Sequence, residues 1–166
     1  MNGSEESGVG KAIARLLLRT AVGGTMIAHG VKHGRSLDGT AGWFGSIGFR
    51  EPRLQAQASA VAEIGAGVAL LAGAGTTLAS AAVVGTMGVA AYSVHRKNGF
   101  FITGEGWEYV ANLAAASVAL AGLGPGRWSI DRGLGIEHRG GRAAVVAAVL
   151  GVAGAATQLA TFYHEP

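Results

Sequence analysis

The amino-acid sequence predicts an all-α integral membrane protein, a bundle of five spans joined by loops. Three observations predict it. Only 14% of the 166 residues are charged while 49% are hydrophobic, and the mean hydropathy is +0.36, a balance suited to lipid contact rather than to a water-facing surface. The charges gather in short clusters that separate apolar runs of bilayer-crossing length. The 29 glycines recur with alanine and serine at helical spacing, which lets helices approach closely where lipid supplies no hydrophobic force between them.

The first helix is expected from Lys11 to about Val31. The stretch between Arg19 and His29 alone is too short to cross a bilayer, and the longer helix spans it if Arg15 and Arg19 lie in or near the headgroup layer. Helical geometry puts Arg15, Arg19, Val22, Met26, His29 and His33 near one line, so the polar groups other than Lys32 share a face. That face points into a bundle or snorkels at its ends. Gly23 and Gly24 are expected to mark close packing. The segment before it, residues 1–10, reads as a disordered tail; it carries two glutamates and no apolar core ahead of a cleavage site, so no removable signal peptide is expected.

Residues 34–53, with Trp43, Phe44, Ile47 and Phe49, read as a re-entrant or surface-lying lid. From Ala58 to Val94 the one charged residue is Glu63. This run suits two short spans, near 54–74 and 77–95, with Gly73 to Thr77 turning between them. No charge falls between Tyr109 and Gly126, giving a fourth helix closed by Pro125 and its flanking glycines. After a basic linker at 136–142, residues 143–163 form a fifth. Ser59, Ala60, Ala66 and Gly67 flank Glu63 at helical spacing. Glu108, Asn112, Ala115, Ala119 and Gly122 share a face of the fourth helix; Ala147, Gly151, Gly154, Gln158 and Thr161 share one of the fifth.

The charge pattern argues against a nucleic-acid partner: the formal charge of +3 resides in scattered clusters, not along one helix face. The chain has no cysteine, so it brings no disulfide, thiolate nucleophile or iron–sulfur ligand of its own. Redox chemistry would need a bound cofactor or a partner's thiols.

Glu63 is the most informative residue, because an ionised carboxylate in mid-span costs about 2.5–3.5 kcal/mol on insertion scales. It must be paired, hydrogen-bonded or protonated. Arg19 or Arg15 is the simplest partner, with Asn112 and Tyr109 as further donors. The network either fixes helix register or lines a polar cavity for a quinone head group or a proton path. His29 and His33 stand four residues apart, a spacing at which two imidazoles can meet one metal ion. No third ligand accompanies them, so no metal site is assigned; interfacial snorkelling or a hydrogen bond to a quinone are the other readings. In "RKNGFFITGEGWEYV", Trp107 beside Glu105 and Glu108 suits an interfacial anchor or a ring-binding pocket. The arginines of "GRWSIDR" and "HRGGR" lie at the opposite end, facing anionic lipid or an acidic soluble protein.

With these residues in view, the chain resembles the DoxX family of small bacterial membrane proteins. The resemblance runs through Arg19 and Gly23, "HGVKHG", "WFGSIGFREP", "AEIGAGVALLAG", "NGFFITGEGWEYV" and "GPGRWSIDR", covering roughly residues 12–135. It implies a four-helix DoxX-like bundle over 11–135, to which 143–163 adds a fifth, carboxy-terminal transmembrane helix. It further implies a multi-pass protein of the bacterial inner membrane, a membrane subunit of a quinone-linked or oxidative-stress redox assembly. Soluble partners of the superoxide dismutase or sulfurtransferase type would accompany it. On this basis the expected quinone pocket is His29, Glu63, Trp107 and Glu108, with Arg19 and Glu63 as a structural ion pair. The alternative is a non-catalytic anchor or assembly factor for soluble enzymes. Membrane lipid is a partner on either reading, a homo-oligomer stays open, and a transporter is disfavoured because no charged route or internal repeat is evident.

Overall fold

The computed structural model describes residues 3–166, with side chains from residue 8 onward. It is all-α among the described residues, with seven helices: α1 (Gly3–Arg35), α2 (Leu37–Ser46), α3 (Pro52–Ala72), α4 (Thr76–Ala90), α5 (Glu108–Leu123), α6 (Ile130–Gly133) and α7 (Gly141–Phe162). α4 continues through a wide turn at Ala91–His95 and a tight one at Arg96–Asn98. Three helices are long and apolar enough to cross a membrane, Pro52–Ala72, Thr76–Asn98 and Gly141–Phe162; Glu108–Leu123 is apolar but shorter. At the helical rise α5 measures about 24 Å, less than the roughly 30 Å of a hydrocarbon core.

Two elements depart from expectation. α1 begins at Gly3 and takes in residues assigned to a disordered tail; the segment Ser4–Gly10 holds no proline, and helix already nucleated at Lys11 extends into it at little cost. The loop expected at 34–53 contains α2, which lies across α3. Its chain then turns at Gly48 and Glu51, both in the left-handed region, and Pro52 opens α3, where its missing N–H costs nothing.

α1 and α3 pack antiparallel, and glycines set how closely. A Cβ on Gly23 would stand 2.8 Å from the Gly67 carbonyl oxygen, one on Gly67 2.6 Å from that of Gly23, and one on Gly30 2.9 Å from that of Ala60. Around Gly24 there is open space, so of the two adjacent glycines only Gly23 is a packing point. α7 lies along α4 in parallel: Gly151 sits against Val84 and Gly85, and Gly88 meets Ala155. On α5 the buried side chains are Val110, Ser117, Leu120 and Ala121. Asn112, Ala115 and Ala119 are exposed, so the polar stripe expected to face the bundle points away from it. Larger side chains on the opposite face fill more of the space between helices.

Gly67→Ala is expected to cost about 1–3 kcal/mol, because the clash is with backbone and only separating α1 from α3 relieves it. Gly24→Ala should be neutral or stabilising by up to about 1 kcal/mol, the difference in helix propensity. Thermal unfolding of the two variants in detergent checks the contrast.

A buried carboxylate at the floor of an apolar cavity

The two ends of the bundle hold different polar networks. At one end Arg19, only 4% exposed, projects from α1 into the junction of three helices. Its Nε donates to the Leu70 carbonyl at 2.8 Å, and its terminal nitrogens donate to Pro125 at 3.1 Å, to Trp128 at 2.6 Å and to Leu71. Leu70 and Leu71 lie in the last turn of α3, where the Gly73 amide also donates to the Leu70 carbonyl and a cation is favourably placed. The α3–α4 turn folds tightly over the guanidinium through Gly73 and Gly75, both left-handed. Asp131 closes the same junction. Its carboxylate accepts from the Gly75 and Thr76 amides at 2.6 and 2.9 Å and from the Thr76 hydroxyl at 2.9 Å, capping α4 with negative charge at its amino end.

Arg19 is therefore not the partner of Glu63. Numbers of facing residues on α1 and α3 add to 90 at both close approaches, Gly23 with Gly67 and Gly30 with Ala60. This register puts Arg19 opposite Leu71, and Glu63 some eight residues, about 12 Å, further along α3.

At the other end Glu63, 4% exposed, meets the last turns of α1. Its Oε1 accepts from the Ser59 hydroxyl at 2.9 Å. His33 Nδ1 lies 3.1 Å from Oε2 and 3.3 Å from Ser59 Oγ. The ring is at ion-pair distance but out of line for a hydrogen bond, so among the described residues no donor satisfies Oε2. A buried carboxylate oxygen without a donor costs about 1–3 kcal/mol or more, and such groups call for an explanation.

Glu63, Ser59 and His33 border a cavity of about 390 Å³. α2 and the turn after it supply Trp43, Phe44, Ile47 and Phe49, α4 supplies Thr86, Val89 and Ser93, and α7 supplies Gln158 and Phe162. The aromatic side is a continuous edge-to-face stack: Trp43 on Phe44 at 5.3 Å, Phe44 on Phe49 at 5.1 Å, Phe49 on Tyr163 at 5.3 Å. Gln158 Nε2 donates to Gln55 Oε1 at 2.8 Å, tying α7 to α3 beside the cavity. A two-residue bridge closes the rim, where Arg50 N donates to the Phe162 carbonyl at 2.7 Å and His164 N to that of Gly48 at 2.9 Å. Beyond it Lys97 and Arg96 bind Glu165 at 2.5 and 3.0 Å, and the Lys97 hydrogen bond and charge hold its carboxyl below the usual range.

Of the four residues expected to form one pocket, only Glu63 lines this cavity. His29 is exposed, with its ring 6.2 Å from that of Tyr109. Trp107 packs edge-on against Phe100 at 4.8 Å and lines a separate groove with Tyr92 and Val110. Glu108 Oε2 accepts from the Ile102 amide at 3.0 Å and so holds its own loop. Four residues along a helix turn a side chain by about 40°, and this offset brings His33 to Glu63 while leaving His29 outside. Trp43 occupies the aromatic position foreseen for Trp107. Among the described residues no three histidine or carboxylate side chains converge as metal ligands would. Ser59, Gln55, Gln158 and Asp131 went unrecognised as site or capping residues. The mutual fit of Gly23 with Gly67 would have fixed the register that reveals the first.

Helices of this length and apolarity, packed round a buried glutamate with a histidine at ion-pair distance, define an all-α membrane protein. A family model described as DoxX matches residues 14–96, half of the chain, and the protein belongs to the DoxX family. No curated protein and no solved structure matches it. The matched segment runs from α1 to the end of α4, so it contains Arg19, His33, Ser59, Glu63 and all of α2. It stops short of the "NGFFITGEGWEYV" and "GPGRWSIDR" segments, and short of Gln158 and Phe162, through which α7 helps to close the cavity.

Proposed function

We propose that this DoxX protein is a multi-pass protein of the bacterial inner membrane that holds a quinone head group between Glu63, His33, Ser59 and the aromatic face of α2, as the membrane subunit of a redox assembly. The observation that carries this reading is the open acceptor of Glu63 Oε2, buried at the edge of a mostly apolar cavity. The donor set suits such a ring. Ser59 and His33 offer hydrogen bonds to a ring carbonyl, Glu63 accepts from a ring hydroxyl, and Trp43, Phe44 and Phe49 offer aromatic faces and edges. The volume is in the range of small-molecule sites, and apolar lining with a few convergent polar groups is their usual composition. When bound, a quinone supplies two-electron, two-proton redox capacity. Glu63 and His33, 3.1 Å apart, are placed to take up or release a proton at that edge. Because the chain has no cysteine, the reading leaves the electron donor outside the chain, and it includes soluble partners of the superoxide dismutase or sulfurtransferase type.

Purification in mild detergent followed by lipid extraction and an absorbance scan tests this. Quinone absorbance that changes on chemical reduction is the expected result. A colourless, quinone-free protein that co-purifies with soluble enzymes overturns it in favour of a non-catalytic anchor or assembly factor.

A further inference from the structure

We propose a second site, at the Arg19 end of the bundle, that binds a phosphate group. Four arginines from three parts of the chain surround one small cavity of about 90 Å³: Arg15 of α1, Arg127 and Arg132 of the segment around α6, and Arg139 of the linker before α7. Among the described residues the cavity has one carboxylate, Glu137, which lies 3.6 Å from Arg132. The local balance is strongly positive, and the volume is that of a small anion rather than an organic ring.

The stems of two of the four, Arg15 and Arg139, pack against one turn. Gly124 and Gly126 both have positive φ and turn the chain between two of them: a Cβ on Gly124 would stand 2.8 Å from Arg139 Cβ, and one on Gly126 3.0 Å from Arg15 Cδ. Arg15 Nε donates to the Leu123 carbonyl at 3.0 Å, which fixes the guanidinium plane and leaves its terminal nitrogens for a ligand. Arg127 lies over the Trp128 ring at 4.3 Å. Guanidinium forks held in this way match phosphate oxygens bidentately. A basic pocket at one end of a membrane bundle suits the phosphate of an anionic lipid headgroup, and a free phosphate shares the same chemistry.

The test uses the full chain in neutral detergent, with unfolding followed as phosphatidylglycerol, phosphatidylcholine or inorganic phosphate is added at constant ionic strength. Phosphatidylglycerol that raises the midpoint saturably while phosphatidylcholine does not is the expected result for a lipid ligand. A saturable rise with inorganic phosphate as well assigns the site to a phosphate free in solution. In either case Arg127→Gln with Arg139→Gln should raise the half-saturating concentration about twenty-fivefold, at roughly fivefold per arginine, while Arg53→Gln at the opposite end leaves it unchanged. Both replaced side chains are exposed, so the variant should keep its fold. Equal responses of the wild type and the double variant overturn the proposal, as does the lack of any saturable response.

Discussion

Replacing Arg19 by methionine should destabilise the protein by about 3–5 kcal/mol, more than any other single change in α1. Methionine fills much of the same volume, so the loss isolates the guanidinium. Its removal takes the side-chain donor from four carbonyls, of Leu70, Leu71, Pro125 and Trp128, in a buried to half-buried junction where only that of Leu70 keeps a main-chain donor, the Gly73 amide. A stranded buried group costs about 1–3 kcal/mol, and partial relaxation holds the total below the sum. For a chain of this size that is a fall of about 10 °C in the unfolding midpoint. Arg19→Lys should recover less than half of it, since one ammonium cannot span acceptors arranged for a fork. Circular dichroism melts in detergent measure both. Because Arg19 lies far from the cavity, ligand binding by the surviving folded fraction should be unchanged.

Glu63→Gln should behave in the opposite way. Glutamine has the shape of glutamate and can still accept from Ser59, but it replaces the open carboxylate oxygen with a neutral amide. The fold should be as stable as wild type or gain about 1 kcal/mol, since a buried charge that is poorly partnered disappears. Ligand affinity should fall by about ten- to a hundredfold, the loss expected for a hydrogen bond to a charged group. A loss of stability with no loss of binding would make Glu63 a packing residue and leave the quinone reading without its main support. Arg19 and Glu63 thus separate by experiment as they do in space: one closes the bundle, the other equips it.

That separation was the part of the structure least legible in the sequence. Both residues stand out on their own, as ionisable groups within apolar runs, and the sequence predicts that each must be satisfied. Pairing them is the economical guess, but it ignores that an arginine can be satisfied wholly by main-chain carbonyls, which carry no side-chain signature. The end of α3 and the segment between α5 and α6 supply those carbonyls, and their meeting depends on the turns at Gly73 and Gly124. The apolar helices themselves are written plainly in charge and hydropathy: α3, α4, α5 and α7 fall close to where the apolar runs predict them. The inward face of α5 was not, because Asn112 and the small residues beside it read equally as packing or as surface. Trp43 and Trp107 posed the same difficulty. Each sits among aromatics next to a polar loop, and only the path of α2 across α3 shows which one reaches Glu63.

Two tryptophans at different places allow the central claim to be tested by location. With Trp107 and Trp128 replaced by phenylalanine, Trp43 is the sole indole in the chain, and titration with a short-tailed, water-soluble quinone should quench its fluorescence saturably. Glu63→Gln in the same background should shift the half-saturating concentration about tenfold or more upward, and a chain retaining Trp107 as its only tryptophan should show no saturation. Saturable quenching at Trp107, or linear collisional quenching alike at both positions, would contradict a quinone seated between α2 and Glu63.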